Sequence, residues 1–310
     1  MAPQADTDTC QSGYFQNWQD LHDPHVRALA WLLGAPGLLD PQAPRWHGQI
    51  ASIGVDAGVR DWLHAVDAAP AALHAYMDTV VQRRLGRYAE NLLAFYFREH
   101  GCLLAHGLQV KQADGITVGE FDFLLHTPAG VEHWECATKF YLLTRRAGVA
   151  ADYFVGPNLA DTLGAKMDKV FLRQLRLAWH PAAQACLPAP VARAKAFITG
   201  WLFYHWQDTP SILDGVAPGH CRGSWYALHD WEACPGEYFA PLPRLSWMAP
   251  AQMAPEAVLT RAAMGDYLRT YFSSERMPLL LARLECGAGR ARESARAFIV
   301  PDDWAGLYPS

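Results

Sequence analysis

Two short acidic segments hold the residues best placed to do chemistry. The first is GEFDFLL (119–125) and the second is HWECATKF (133–140). Both read as strands, in which side chains alternate faces and residues two apart share one. Glu120 and Asp122 therefore share a face, with Phe121 and Phe123 on the other. Glu135, Ala137 and Lys139 share a face opposite Trp134, Cys136 and Thr138. Pairing the two strands sets Asp122 beside Glu135. Two carboxylates that close raise each other's pKa unless a cation or proton lies between them. Carboxylate oxygens plus waters are the ligand set that Mg²⁺ prefers, and the backbone carbonyl of Cys136 can supply a third protein ligand. Such a cation activates water and stabilises charge developing on a phosphate. Lys139 can orient that water or neutralise the phosphate.

The elements that position these residues can be read around them. Residues 1–75 read as helical and loop-rich, with a helix over PHVRALAWLLG (24–34) closed by Gly34 and Pro36. Met77, Val81, Leu85, Tyr88, Leu92 and Tyr96 recur at helical spacing, which predicts one helix over about 76–100, closed by Gly101. Strands follow at 102–110, 119–126 and 131–143. TPAG (127–130) turns the last two into an antiparallel hairpin. A helix is predicted over 159–179, capped by Asn158 with Asp161 in a capping-box position and stopped by Pro181. A buried strand is expected at 194–205. Beyond it lie short strands at 224–229 and 244–248, a helix at 256–272, and a hairpin of 279–285 with 296–300.

This order of helix, three strands, helix and strand resembles the PD-(D/E)XK nuclease superfamily, which includes restriction enzymes, Holliday-junction resolvases and repair exonucleases. The resemblance covers roughly 76–205. Gly119-Glu-Phe-Asp122 is similar to the Gly-Glu-Ile-Asp form of the motif, and the thirteen-residue step to Glu135 is in range. It implies a restriction-endonuclease-like α/β core with a mixed sheet flanked by helices. It also implies Mg²⁺ or Mn²⁺ as cofactor, nucleic acid as partner, and Glu90 in RYAENLLAFYF as the glutamate of the preceding helix. Glu120 is an auxiliary acid. Gln174 matches a helix glutamine kept in some members. DPHVRALAWLL, GPNLADTLGAKMDK and the closing FIVPDDW resemble an uncharacterised bacterial domain-of-unknown-function family placed in that superfamily.

The chain departs from the motif at its lysine. Two residues after the glutamate stands Ala137, and Lys139 lies about 7 Å further along the strand at roughly 3.3 Å per residue. Lys139 can reach back, a bulge can shorten the gap, or Lys166 from the next helix can substitute. Otherwise the fold persists without turnover. Lys139, Arg145, Arg146, Lys166, Lys169, Arg173 and Arg176 outnumber Asp152, Asp161 and Asp168 over 139–176. Lys166, Lys169 and Arg173 fall on one helical face. That face suits a phosphate backbone and equally suits plain solvation.

Composition sets the outer bounds. Apolar residues make up 51% of the 310 residues, enough for a sizeable core. The net charge of −5 argues against coating nucleic acid by bulk charge, though not against a local basic groove. The seven cysteines are scattered without a C-x-x-C pair, so no disulfide scaffold is expected and a reducing cytoplasm is the natural compartment. No stretch approaches the roughly 20 apolar residues of a membrane helix. His205, His220, Cys221, His229 and Cys234 match no zinc spacing. Arg283, Arg290, Arg292 and Arg296 flank the last hairpin as solvated or partner-facing cations. The expected organisation is a helical extension over 1–75, a nuclease-like core over 76–206 and a mixed extension over 207–310. The expected function is metal-dependent phosphodiester hydrolysis through Asp122, Glu135, Lys139, Glu90 and Glu120. The alternatives are a catalytically inactive binding module and a hydrolase of small phosphorylated molecules.

Overall fold

The structure is a computed structural model that describes residues 10–80, 84–144, 151–208, 213–287 and 289–304. The helices are α1 (Cys10–Trp18), α2 (Pro24–Gly34), α3 (Ala57–Ala68), α4 (Ala71–Asp78), α5 (Leu85–Glu99), α6 (Leu163–Lys169), α7 (Pro181–Gln184) and α8 (Arg261–Ser274). The strands are β1 (Leu103–Lys111), β2 (Thr117–Thr127), β3 (Gly130–Leu143), β4 (Phe154–Val155), β5 (Val191–His205), β6 (Cys221–Ala227), β7 (Tyr238–Pro241), β8 (Gln252–Met253), β9 (Leu259–Thr260), β10 (Leu279–Gly287) and β11 (Arg290–Val300).

Among the described residues the strands form one eleven-stranded sheet, ordered β1-β2-β3-β5-β6-β11-β10-β7-β9, with β4 on β3 and β8 on β11. The β3–β5, β5–β6 and β6–β11 pairs are parallel and the others antiparallel. This is the expected mixed sheet flanked by helices. Because β6 pairs with β5, residues beyond 207 extend the same sheet.

Each face of the sheet buries its own core. Phe123, Trp134, Phe140, Phe197 and Trp201 pack with α1 to α5. Tyr141, Leu143, Ile198 and Leu202 pack with Leu163, Met167 and Val170 on and just after α6. The two faces are formed by alternate residues of β3 and β5, as pleating requires.

Local chemistry accounts for most element ends. Asp23 caps α2 by accepting from the backbone N–H groups of His25 and Val26 at 2.9 and 3.1 Å, with Pro24 in the first turn. α5 closes in a Schellman motif: Cys102 N–H donates to Phe97 C=O and Gly101 N–H to Arg98 C=O, both at 3.0 Å. Gly101 there has φ +67, which glycine adopts without cost.

The predicted helix over 76–100 is two helices. α4 ends at Asp78, where the Thr79 hydroxyl bonds back to Tyr76 C=O at 2.7 Å and competes with helix continuation. Arg84 is extended ahead of α5. Val81, counted in the apolar stripe, lies outside the described residues, as do Arg145 and Arg146.

The helix predicted over 159–179 is also shorter. Leu159 has φ +58, a left-handed conformation that cannot continue a helix. Thr162, not Asn158, caps α6 by accepting from Ala165 N–H at 3.1 Å. A π-turn over Val170–Gln174 and a 3₁₀ turn over Leu175–Trp179 follow. The helical run ends at Trp179, where the expected helix ends, and Pro181 then opens α7. The strand expected at 244–248 is a 3₁₀ turn behind Pro243, and the helix expected from 256 starts at Arg261, capped by Thr260.

Two further expectations are corrected. Cys10 and Cys221 form a disulfide between α1 and β6. Arg296 is buried, pairs with Glu293 at 2.7 Å and lies 3.9 Å over the Trp201 ring, so it neither is solvated nor faces a partner. No helix among the described residues is long and apolar enough to cross a membrane.

Candidate acidic site

Asp122 and Glu135 occupy the point where β2 and β3 part. Their ladder runs from Thr127↔Gly130 to Phe123↔Trp134 and stops there, with Asp122 and Glu135 as the next residues. The Cys136 N–H, one step beyond, donates to Asp122 Oδ2 at 2.9 Å. A carboxylate thus takes a backbone donor that the neighbouring strand no longer satisfies. On its other edge β3 stays rigidly paired, Glu135 opposite Ala196 of β5.

The face assignment around Asp122 differs from simple alternation. Phe123 packs against Phe97 of α5 at 5.2 Å between ring centres. Phe121 packs on the other face, 4.7 Å from the His133 ring and in a cluster with Leu124 and Leu177. The β1–β2 ribbon turns over at the Gly107/Asp122 step, where Gly107 has φ +65 and the Glu120 carboxylate lies over it. Asp122 stands at this twist.

Glu135 is 1% exposed. His133 Nε2–H donates to its Oε1 at 3.1 Å, and Gln174 donates to its Oε2. Burial pushes the His133 pKa down to about 4, so its ring is neutral at pH 7. Gln174 Oε1 in turn accepts from Lys166 Nζ at 3.3 Å. One glutamine side chain therefore links the helix lysine to the strand glutamate. The π-turn, whose i→i+5 bonds span one residue more than those of an α-helix, ends at Gln174 and brings it back toward Lys166 eight residues earlier.

Charge is unsatisfied here. Burial, then repulsion from Glu135, pushes the Asp122 carboxyl up to about 7. Burial likewise raises Glu135 to about 7, with Lys166 opposing. Glu90 on α5 also rises to about 7, by burial and then by Asp122. Burial and then Lys139 lower the pKa of Lys166. Asp122, Glu135, Glu90 and Lys166 thus form a single electrostatic unit, on which Lys139 and Lys169 also act. Arg87 ties Glu90 at 3.0 Å and Glu120 at 3.6 Å to its edge.

Lys139 is engaged elsewhere. Its Nζ sits 2.7 Å from Asp161 Oδ2, which also accepts from Tyr141 O–H at 2.8 Å. The loop that carries Asp161 follows the left-handed Leu159. Lys169 and Arg173 are exposed on the segment after Lys166. The Cys136 thiol is buried on the face of Trp134, and burial holds its pKa well above the usual thiol range.

The donor set suits a hard cation with waters. Asp122 and Glu135 offer oxygens whose repulsion a cation would relieve, which is how Mg²⁺ is held by one or two carboxylates. Among the described residues no group of three or more His, Cys, Asp or Glu side chains converges as a metal cage. His205, His220, Cys221, His229 and Cys234 form no such cage either: His220 bonds Tyr204 and Ala217 C=O, and Cys221 is in the disulfide.

Face parity alone could have found His133, two residues before Glu135. The i, i+3 spacing could have found Arg87. Nothing local marks Asp161 as the partner of Lys139, because loop and strand meet only in three dimensions.

Residues 27–300 match the family model described as Domain of unknown function (DUF1853), and the chain belongs to that family. No curated protein and no solved structure matches it.

Proposed function

We propose that this member of the DUF1853 family is a metal-dependent phosphodiesterase acting on nucleic acid, built on a restriction-endonuclease-like core of α5, β1 to β3, α6 and β5. The observation that carries the reading is the meeting of Asp122 and Glu135 where β2 leaves β3, with Lys166 delivered to Glu135 through Gln174. Asp122, Glu135 and the Cys136 carbonyl would hold Mg²⁺ or Mn²⁺. Bound there, the ion supplies a Lewis acid that stabilises charge developing on a phosphoryl oxygen.

The chain's own residues do the rest. His133 and Gln174 fix both oxygens of Glu135, so its orientation costs little at the moment of reaction. Lys166 takes the place expected of Lys139 and neutralises the phosphate or holds the attacking water. Glu90, poised near neutrality, accepts a proton. Lys169 and Arg173 meet the flanking phosphates. The test is cleavage of single- and double-stranded DNA and RNA with Mg²⁺ or Mn²⁺, by wild type and by Asp122→Asn and Glu135→Gln. Metal-dependent cutting lost in both variants supports the reading, and cutting that survives both refutes it.

One observation favours a second reading, a nuclease-fold module that binds without turnover: Lys139 is held by Asp161 away from the acid pair. Wild type that binds metal and nucleic acid but cuts no substrate would select it.

A further inference from the structure

The Cys10–Cys221 disulfide joins α1 to β6, and its two cysteines sit in different surroundings. Cys221 is fully buried. Cys10 is half-buried and lines a cavity of about 360 Å³ that Cys221 does not line. Tyr14, Trp18, Trp31 and Pro36 form other walls, and no charged side chain among the described residues lines it. Gly13 and Gly219 leave two stretches of wall bare, for a β-carbon at either position would meet nothing within 4 Å.

The cavity wall also holds an unused donor. Trp31 is 0% exposed, and its Nε1–H has no acceptor among the described residues. Elsewhere in the fold Trp46, Trp225, Trp247 and Trp304 each donate to a backbone carbonyl. A buried donor without a partner is destabilising, and an oxygen brought in by a ligand would relieve it. A neutral cavity that presents one sulfur of a disulfide and one free N–H suits a small thiol carrying a carbonyl. Its volume admits a ligand of tripeptide size and not the surface of a folded protein.

We propose that this cavity is a thiol-exchange site, in which a low-molecular-weight thiol with a carbonyl acceptor attacks Cys10 Sγ and unties α1 from β6. The bond between the two cysteine sulfurs breaks, and a new S–S bond joins Cys10 to the small thiol. Cys221 leaves as a thiol and takes up the proton that the attacking thiol gave up. One disulfide replaces another, so no further oxidant or reductant is needed. Trp31 N–H donates to the carbonyl of the incoming molecule. Cys221 is the resolving group, whose return attack on Cys10 Sγ expels the small thiol and restores the tether. While it is untied, α1 keeps the bond from Gln11 to Glu293 at 3.1 Å and that from Tyr14 O–H to Arg27 C=O at 3.0 Å. Its nine residues have little helical stability of their own.

The experiment follows loss of the cross-link in protein purified without reductant and kept anaerobic. The probes are reduced glutathione, ethanethiol and a thiol coupled to dextran. Free thiols are trapped with N-ethylmaleimide and located by peptide mass spectrometry. The free cysteines Cys102, Cys136, Cys186, Cys234 and Cys286 have no disulfide to exchange, so a first adduct reports Cys10 or Cys221. Glutathione should appear on Cys10 with maleimide on Cys221, and the dextran thiol should leave the cross-link intact. Gly13→Leu, which fills the cavity and removes a helix glycine, should melt no lower than wild type and slow glutathione severalfold. Trp31→Phe should slow glutathione by about 2- to 10-fold, the worth of one neutral hydrogen bond, and ethanethiol less. The proposal is overturned if the protein carries no Cys10–Cys221 bond, if the first adduct lands on Cys221, or if the dextran thiol reacts as fast as glutathione. It is equally overturned if folded Gly13→Leu reacts at the wild-type rate, or if folded Trp31→Phe slows the two small thiols alike.

Discussion

Asp122 and Glu135 face each other at the first residue pair beyond the β2–β3 ladder, and the Cys136 N–H released there is taken by Asp122. The acid pair and the divergence of the strands are therefore one feature. Closing the ladder by one more pair would remove the donor that orients Asp122.

Burying two repelling carboxyls costs stability that only a cation or proton returns. Asp122→Asn keeps an acceptor for Cys136 and removes the charge. In EDTA this variant should be more stable than wild type by about 1 kcal/mol, or roughly 2–4 °C in thermal melting. It should also lose the rise in melting temperature that Mg²⁺ or Mn²⁺ gives wild type. A variant less stable than wild type in EDTA would make Asp122 a structural residue.

The same pair sets a pH dependence. The folded pKa of Asp122, about 7, lies above its value in an unfolded chain, about 4. Its contribution is fully present below about pH 4 and is lost as pH rises through 7. The stability advantage of Asp122→Asn in EDTA should therefore be small at pH 5 and grow toward pH 8. An advantage that shrinks over that range contradicts the assignment.

His220 works in the opposite sense. Burial pulls its pKa down to about 4, and the neutral ring donates from Nδ1 to Ala217 C=O and accepts from Tyr204 O–H. Its stabilisation is present above about pH 6.5 and is lost as pH falls toward 4. The stability gap between wild type and His220→Gln, in favour of wild type at pH 7.5, should narrow by up to about 3 kcal/mol by pH 4 in denaturant titrations. A constant gap would place the proton elsewhere.

The buried Arg296–Glu293 pair is a stability element apart from the site. Arg296 also donates to the backbone carbonyls of Trp247 and Ala249, and Glu293 accepts from Gln11 and from Ala251 N–H. Glu293→Leu strands a buried guanidinium and should cost about 3–5 kcal/mol in chemical denaturation. A cost below about 1 kcal/mol would mean that water reaches Arg296.

The strands β2 and β3 and their turn were legible because alternation and Thr127–Gly130 chemistry are local. α2 was legible from Pro24, Gly34 and Pro36, and its Asp23 cap agrees with that start. The break after α4 was not, because Thr79 ends the helix through a bond that many mid-helix threonines do not make. Alternation failed at Phe121, since the ribbon turns over at Gly107 on the neighbouring strand β1, which the β2 pattern does not record. At the site, parity set Asp122 beside Glu135, but the rank of the lysines depended on Asp161 and on the π-turn. The parallel pairings β5–β6 and β6–β11 join distant segments and leave no mark on neighbouring residues.

Lys166 and Lys139 make contrasting predictions. Lys166→Met should lower the single-turnover cleavage rate by about 10²–10³-fold, the cost of one preorganised electrostatic group. Lys139→Met, which removes a lysine already held by Asp161, should cost less than about 10-fold. The reverse order would return the catalytic role to the strand.

The most direct measurement is metal-dependent cleavage by purified wild type beside Asp122→Asn and Glu135→Gln, each shown to be folded. The account predicts cutting with Mg²⁺ or Mn²⁺ that EDTA stops and that both variants reduce by at least about 10²-fold. Cutting that persists in both folded variants, or wild type that cuts no DNA or RNA with either ion, would contradict it.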